Sequence, residues 1–260
     1  GINEHAPQPW GGDFEVDHKG VPNGILWETA TNLLHSASWN AYATRDWDRA
    51  GELLSLKLRS YLEVGITGLG DAMVTPTAAE LYRRVDAQGK LPFAVRQLHG
   101  GDHWYGMQDL RRGDLVQRVL EPETQRLTGG AIKVYMDRLF PDGAAIDKVE
   151  DGCVVHRGTP FYSKEEVHDL AARAADLQID LAIHAMGNCA IDGVLDAYEH
   201  VRRSGSEHSL LRIEHAFVAE KRQADRMADL GVDLVAQPGL AYDWGSLFEE
   251  LATNVASAPP

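Results

Sequence analysis

Three titratable side chains stand inside, or near the ends of, short apolar runs of the sequence. They are Lys133 within residues 131–136, His184 within residues 179–185 and His215 within residues 211–216. Neutral imidazole is the commonest protein ligand for zinc, so two histidines placed in this way could bind a metal ion. A single histidine on a strand is more often a hydrogen-bonded core residue, and that interpretation stays open for each of them.

Lys133 needs an explanation of its own, because burying an ammonium group without a partner costs on the order of several kcal/mol. One interpretation is an ion pair with a nearby carboxylate, such as Asp137 or Glu214. The other is that the desolvated amine is neutral and reacts with CO₂ to give a carbamate, an anion that can bridge two metal ions. The residue alone favours the ion pair and leaves both open.

Six short apolar runs predict buried parallel strands, since they are continuous and rich in β-branched residues. They cover residues 64–69, 92–98, 131–136, 179–185, 211–216 and 232–236. Helical patterns lie between them, at residues 77–88, 164–177, 190–204 and 219–230. This alternation predicts a parallel sheet with flanking helices. No glycine-rich phosphate loop occurs, so the pattern favours a (β/α) barrel, whose reactive side chains lie at the carboxyl ends of the strands.

The first 60 residues differ in composition from the rest of the chain. Residues 7–24 are dense in glycine and proline, which predicts a loop with one short hairpin near residues 14–16. Helices are predicted near residues 26–36 and 46–63. We therefore expect a Gly/Pro-rich N-terminal region with helices over residues 1–60 and a partial (β/α) barrel over residues 61–260.

Charge and cysteine content exclude several classes of protein. The 260 residues include 25 Lys and Arg against 39 Asp and Glu, a net charge of −14, which argues against nucleic-acid binding. The two cysteines form no disulfide framework, which favours a cytoplasmic location. No apolar run is long enough for a membrane span, so no membrane partner is expected.

A series of motifs resembles the amidohydrolase superfamily, in the branch called amidohydrolase family 3 or YtcJ-like. Residues 181–192, LAIHAMGNCAID, resemble the HAxGDxAxD motif of that branch, and residues 212–216, RIEHA, resemble its next strand. The remaining matches are residues 235–238 with its VQP strand, 20–28 with GxPxGxLxE, 65–72 with GITxxxDA and 132–137 with the strand that carries a metal-bridging lysine. Their order agrees with the family over nearly the whole chain.

The resemblance implies a TIM-like (β/α)₈ barrel with one or two divalent metals at its mouth, where a metal-activated water hydrolyses a carbon–nitrogen bond other than a peptide bond. Zinc is the expected metal, with iron and manganese as alternatives. By position, Lys133 would be the carboxylated bridging ligand, and His184 and His215 would be ligands from the next two strands. The implied substrate is a small amide, an N-acyl amine or an N-formyl amine.

The sequence also departs from the family pattern. It contains neither the HxH pair of the first strand nor the GSD segment of the eighth, so only about strands 2–7 are expected. Asn188 and Cys189 replace the usual Asp-Arg pair, which puts that part of substrate recognition in question. The alternative hypothesis is therefore a catalytically incomplete amidohydrolase fragment that needs further segments or a partner chain, with homo-oligomer formation left open.

Five further residues are expected to line the substrate pocket. They are Asp137, His99, His103, Asn188 and Gln237. His99 and His103 follow a predicted strand in a glycine-containing loop that should overhang the barrel mouth, although a plain surface loop is equally compatible with the sequence. A nucleotide- or sugar-phosphate-binding α/β protein is a third reading, with little specific support.

Overall fold

Strands and helices alternate along most of the chain in the computed structural model. It describes residues 2–3, 5–9, 12–100, 116, 119, 124–139, 143–150, 153–205, 210–240 and 242–245. The chain divides into two units, Gly1–Ile132 and Lys133–Pro260. The predicted division after residue 60 rested on composition and stays a prediction.

The first unit begins with an antiparallel hairpin and continues with helices and parallel strands. Its elements are β1 (Gly12–Val16), β2 (Pro22–Glu28), α1 (Asn32–Arg45), α2 (Trp47–Leu62), β3 (Gly68–Val74), α3 (Pro76–Ala87), β4 (Ala94–Gly100) and the first part of β5 (Leu127–Tyr135). Strands β1 and β2 pair antiparallel, and β3 and β4 pair parallel, with β5 next to β4. The expected hairpin is present, and the helix predicted near residues 46–63 corresponds to α2. The helix predicted near residues 26–36 begins only at Asn32, since residues 22–28 form β2.

Local sequence explains where the first unit's helices begin and what they bury. Asp46 and Thr75 are N-caps whose side chains accept the backbone N–H groups of Arg49 and Ala78. Proline follows Thr75 at the first turn of α3, where its missing N–H is harmless. The buried faces of α2 and α3 meet β4 in a core that includes Leu58, Tyr82, Val85 and Val95.

Strand β3 lies further along the chain than predicted. The apolar residues Val64 and Ile66 belong to the turn that ends α2, because their N–H groups donate to Tyr61 O. Gly65 has φ +86° in that turn, a conformation that glycine adopts without strain. The strand therefore runs to Val74, and Asp71 lies inside it, whereas the sequence pattern placed Asp71 after the strand.

The second unit repeats the strand–helix pattern. Its elements are the end of β5, β6 (Ile146–Glu150), β7 (Cys153–Arg157), α4 (Lys164–Asp176), β8 (Asp180–Ala185), α5 (Asn188–Arg203), β9 (Leu211–His215), α6 (Lys221–Leu230) and β10 (Asp233–Val235). Strands β8, β9 and β10 pair parallel in that order, with β5 on the other side of β8. The hairpin β6–β7 is antiparallel, and the sequence patterns did not predict it. The predicted α/β class with parallel strands is confirmed.

Helix α5 covers β8 and β9 and fixes their position. Its residue Tyr198 is fully buried, and its hydroxyl lies 3.1 Å from Leu181 O and 2.9 Å from Arg212 O. Helix α4 begins at Ser163 with a capping box, in which Ser163 accepts Glu166 N–H and the Glu166 carboxylate accepts Ser163 N–H. The Tyr198 hydroxyl thus bonds to both strands whose carboxyl ends carry His184 and His215.

Candidate metal centre

Lys133, His184 and His215 lie on three neighbouring strands of the second unit, β5, β8 and β9. The parallel register of β8 and β9 pairs His184 with Glu214 and Ala185 with His215. At the end of β5, Met136 N–H donates to His184 O at 2.8 Å. The sheet therefore brings the carboxyl ends of the three strands to the same level.

The side chains of these residues form one cluster around Tyr135. The ring centroids of His184 and His215 are 4.6 Å apart at 71°. The Tyr135 ring lies 4.7 Å from the His184 ring, and Lys133 Nζ lies 4.0 Å from the centroid of Tyr135. Sequence reasoning did not single out Tyr135, although side chains two apart on a strand share a face, which places Tyr135 beside Lys133.

Lys133 is buried, with 2% of its surface exposed. Its Nζ donates to Val134 O at 3.1 Å. Of the two carboxylates considered as ion-pair partners, Glu214 lies 2.5 Å from Arg212 Nε, and Asp137 accepts backbone N–H groups. Both carboxylates therefore have strong partners besides any interaction with the lysine.

His184 presents one ring nitrogen that has no partner among the described residues. Its Nε2 lies 3.4 Å from Asp137 Oδ1 and 3.5 Å from Arg138 O, whereas its Nδ1 is buried and makes no hydrogen bond there. Burial lowers the pKa of His184, and the charge of Lys133 lowers it further, against the opposing effect of Asp137. The imidazole is therefore neutral at pH 7, the form that binds metals.

His215 uses its ring nitrogens in the opposite way. Its Nδ1 lies 2.5 Å from Gln237 Oε1, and Nε2 makes no hydrogen bond to a described residue. Burial, with His184 nearby, lowers the pKa of His215 to about 4. The backbone at the end of β9 is left-handed at two non-glycine residues, His215 with φ 76° and Ala216 with φ 44°, a strained conformation that is concentrated at functional sites.

The donor set of this cluster fits a divalent transition metal. An imidazole nitrogen that is buried without a hydrogen bond is costly unless a ligand occupies it, and both histidines are neutral bases. The part of the chain that the structure describes holds no group of three or more His, Cys, Asp and Glu side chains suited to a metal. The third donor of this cluster would be Lys133, which becomes a ligand only as a carbamate.

Asp137, expected in the pocket, holds the backbone around the cluster together. Its Oδ1 accepts Met186 N–H at 3.0 Å, and its Oδ2 accepts the N–H groups of Ala145 and Gly187, both at 2.9 Å. Its side chain has no solvent exposure. Gly187 approaches Ala145 so closely that a Cβ atom there would overlap Ala145 O. Asp137 thus joins the end of β5 to the loop that follows His184.

Asn188 is also fully bonded to its surroundings. Its Oδ1 accepts Asp147 N–H at 2.8 Å, and its Nδ2 donates to Asp147 O and to Glu220 Oε1. The amide that replaces the family's aspartate therefore anchors the start of α5.

The thiol of the next residue, Cys189, is not a nucleophile. Burial and the neighbouring Asp147 and Asp192 raise the pKa of this thiol to about 11, so it is protonated at neutral pH.

Two pocket candidates remain, His99 and His103. The expected loop position of His99 is wrong, because the residue lies within β4 of the first unit, buried with 1% of its surface exposed. His103 lies outside the described residues. Their expected contact with substrate stays a prediction.

Comparison with known proteins identifies the family of the chain. The amidohydrolase family matches residues 1–256, so the chain belongs to that family, and the resemblance seen in its motifs is confirmed. It is 62% identical over 248 residues to the N-substituted formamide deformylase of Arthrobacter pascens, covering 95% of this chain and 46% of that protein. It is 25% identical over 255 residues to the putative amidohydrolase YtcJ of Bacillus subtilis strain 168, covering 92% of this chain and 43% of that protein.

Solved structures support the fold. An uncharacterized metal-dependent hydrolase from Pyrococcus furiosus matches with a TM-score of 0.59 and 22% identity, over 75% of this chain and 39% of that one. A similar protein from Pyrococcus horikoshii matches with a TM-score of 0.56 and 22% identity, over 73% and 37%. The chain spans about half the length of the curated relatives it matches. Within the described residues, no helix has the length and apolar character to cross a membrane.

Proposed function

We propose that the full-length protein is a metal-dependent hydrolase of carbon–nitrogen bonds other than peptide bonds. The observation that carries the proposal is the convergence of Lys133, His184 and His215 at the carboxyl ends of three neighbouring strands. Among small amides and N-acyl or N-formyl amines, N-substituted formamides are the substrate class we favour. The support for this choice is the 62% identity to a protein named N-substituted formamide deformylase.

Lys133, His184 and His215 would hold one or two divalent ions, with zinc as the expected metal and iron or manganese as alternatives. When bound, such an ion acidifies a water molecule and polarises a carbonyl oxygen. Lys133 would contribute as a carbamate, which forms when its neutral Nζ attacks the carbon of CO₂ and a proton leaves the nitrogen. Its burial favours this reaction, because the neutral amine is the less costly form in an apolar strand.

The chain's own residues would prepare the site before any substrate binds. The low pKa of His215 and the lowered pKa of His184 keep both rings neutral over the physiological range. The Tyr135 ring packs on His184 and shields it, while Asp137 fixes the loop that follows β8. Such preorganisation keeps the ligands in place for an incoming ion.

Metal analysis of the full-length protein, combined with hydrolysis of an N-substituted formamide, tests the proposal. We expect bound zinc, iron or manganese and release of formate. Lys133→Met, His184→Asn and His215→Asn should each lower metal affinity by at least about 100-fold, since even outer-shell partners contribute 10–100-fold. His168→Asn, a change in α4 outside the cluster, is the matched control and should leave metal content and turnover intact. A wild-type protein with neither metal nor turnover would refute the proposal.

The alternative is that residues 1–260 alone are catalytically incomplete and need further segments or a partner chain. It is supported by the described residues, which hold no group of three or more His, Cys, Asp and Glu side chains suited to binding a metal. Comparing the turnover of residues 1–260 with that of the full-length protein separates the two hypotheses. Equal turnover would exclude the alternative, and activity in the longer protein alone would support it.

We also propose a cytoplasmic location, a small-molecule substrate as the main partner, and a boundary near residue 60. The net charge of −14 supports the absence of a nucleic-acid partner. Cell fractionation tests the location, and cleavage near residue 60 in limited proteolysis tests the boundary. Light scattering decides whether the protein forms a homo-oligomer.

A further inference from the structure

The Gln237 side chain lies against one ring nitrogen of His215, Nδ1. We propose that Gln237 is a positioning residue that fixes the tautomer and orientation of His215, rather than a contact for substrate. This inference rests on the proposed metal-dependent function, in which His215 is a ligand.

The hydrogen bond itself assigns the tautomer. Gln237 Oε1 lies 2.5 Å from His215 Nδ1, and an amide oxygen can only accept a hydrogen bond. This geometry points to a His215 that carries its proton on Nδ1, which leaves the lone pair on Nε2. Metal-binding histidines generally donate their other ring N–H to a fixed acceptor, and this donation sets both the tautomer and the ring orientation.

The contact with Gln237 is the main polar contact of the His215 ring, which otherwise packs against His184. Among the described residues, the bond to Gln237 is the one hydrogen bond that the His215 imidazole makes. The backbone beneath it is left-handed at His215 and at Ala216, and the Ala216 N–H donates to Ala185 O at 3.1 Å. A strained backbone of this kind persists only where surrounding contacts determine it.

Strand pairing on one side and packing of Leu240 on the other determine the position of Gln237. Strand β10 pairs with β9 so that Val235 lies opposite Glu214, which brings the residues just after β10 alongside His215. The Gln237 carbonyl accepts Leu240 N–H at 3.0 Å. Leu240 in turn packs on a buried cluster that includes Met186 and Val218. The backbone that carries the acceptor is therefore held on both sides of Gln237 before a metal binds.

Two substitutions of opposite chemistry test the inference in the full-length protein. Gln237→Leu removes the acceptor at similar size, whereas Gln237→Glu keeps an acceptor and removes any donor. Gln88→Leu, at the exposed end of α3, is the matched control. The first readout is the tautomer of His215 in metal-free protein with ¹⁵N-labelled histidine, recorded at mildly alkaline pH so that the imidazoles are neutral. The second is zinc affinity by chelator competition.

We expect wild type, Gln237→Glu and Gln88→Leu to carry the His215 proton on Nδ1. Gln237→Leu should show a mixture of tautomers and bind zinc about 10–100-fold more weakly. An unchanged His215 tautomer and unchanged zinc affinity in Gln237→Leu would overturn the inference. A Gln237→Glu protein that behaves like Gln237→Leu would also overturn it, since the Gln237 amide would then act as a donor to His215. Thermal unfolding of each variant reports whether it is folded.

The two proposals can fail separately. A wild-type protein that binds no zinc, iron or manganese contradicts the proposed function, while the tautomer readout in metal-free protein still tests Gln237. A Gln237→Leu protein that binds metal as tightly as wild type contradicts only the role of Gln237.

Discussion

Lys133 is the residue whose chemical state decides most about this site. It is buried, its Nζ donates to a backbone carbonyl, and the aromatic face of Tyr135 lies 4.0 Å away. Burial lowers the pKa of His184, and a cationic Lys133 lowers it further, because an ammonium disfavours a protonated imidazole beside it. A carbamate would reverse the sign of that charge and turn an unfavourable neighbour of the histidines into a shared ligand.

Carboxylation of Lys133 can be observed directly. We expect the full-length protein, reconstituted with zinc and ¹³C-bicarbonate, to show one carbamate carbon resonance. Lys133→Met should lack it, while Lys164→Met, an exposed lysine in α4, should retain it. A resonance that survives in Lys133→Met would place the carbamate elsewhere, and no resonance in wild type would exclude it.

The histidines give the metal-free protein a defined pH dependence. His215 has a pKa of about 4 when folded and an ordinary value of 6.5, so the unfolded chain binds a proton in this window and the folded chain does not. The free energy of unfolding should therefore fall as the pH is lowered from 6.5 towards 4. His215→Asn should lessen this fall. Urea unfolding of the metal-free protein across this range measures both slopes, and equal slopes would contradict the assignment.

At this scale the sequence predicted which residues cluster better than it predicted what holds them in place. Lys133, His184 and His215 could be found because polar residues are rare at the ends of apolar strands. Asp137 and Asn188 were expected in the pocket, yet both are bonded to backbone groups around the cluster. Those bonds depend on which loops meet in space, and residue type alone does not report that.

At the scale of elements, helices α5 and α6 are joined by a network of ion pairs. Arg222 binds Asp192 through two bonds of 2.8 Å and 2.6 Å, and Arg226 contacts Asp196 and Glu199. Burial alone would raise the pKa of Asp192, but the bonds to Arg222 and Gln223 and the charges of both arginines hold it below 3.8. Because α5 follows directly on the loop after His184, this network supports the site from outside.

Breaking this network should destabilise the protein modestly. We expect Asp192→Asn to lower the free energy of unfolding by roughly 1 kcal/mol at neutral pH, since the pair is only partly buried. A lowered folded pKa means that the contribution is present above pH 3.8 and is lost as the pH falls through the folded pKa. Asp225→Asn, in an exposed pair with Lys221, is the control and should change stability less. Denaturant unfolding of both variants decides the matter.

Element type was predictable where the pattern was long and the caps were explicit. Helices α3 and α4 begin at Thr75 and Ser163 as cap residues require. The predicted position of β3 was wrong because Val64 and Ile66 look like the start of a strand in the sequence, whereas they form the turn that ends α2. The hairpin β6–β7 was missed because five-residue strands with weak alternation give little signal.

At the scale of the whole molecule, the cluster lies within Lys133–Pro260, one of the two units. Its three proposed ligands come from strands separated by up to 82 positions in sequence, from Lys133 to His215. A bound ion would therefore link segments that are independent in the unfolded chain. Binding to the folded state alone stabilises a protein by mass action.

Removing the metal from the full-length protein should accordingly lower its stability. With free zinc at about 100 times its dissociation constant, the expected loss on chelation is about 2.7 kcal/mol. Lys133→Met should show little change on chelation, because it no longer holds the ion tightly. Thermal unfolding with and without chelator measures the difference. A melting temperature that is insensitive to chelator in wild type would argue against a resident metal.

Asp137 and Gly187 limit which positions can be varied to change the substrates of this protein. Gly187, in the loop after His184, packs directly against the backbone of Ala145. The Asp137 carboxylate accepts an N–H group from each of these two segments and so joins them. An amide at position 137 would turn a donor towards groups that already donate, and any side chain at 187 would push the two segments apart. Mutant libraries aimed at new substrates should therefore leave these two positions untouched and vary the chain elsewhere.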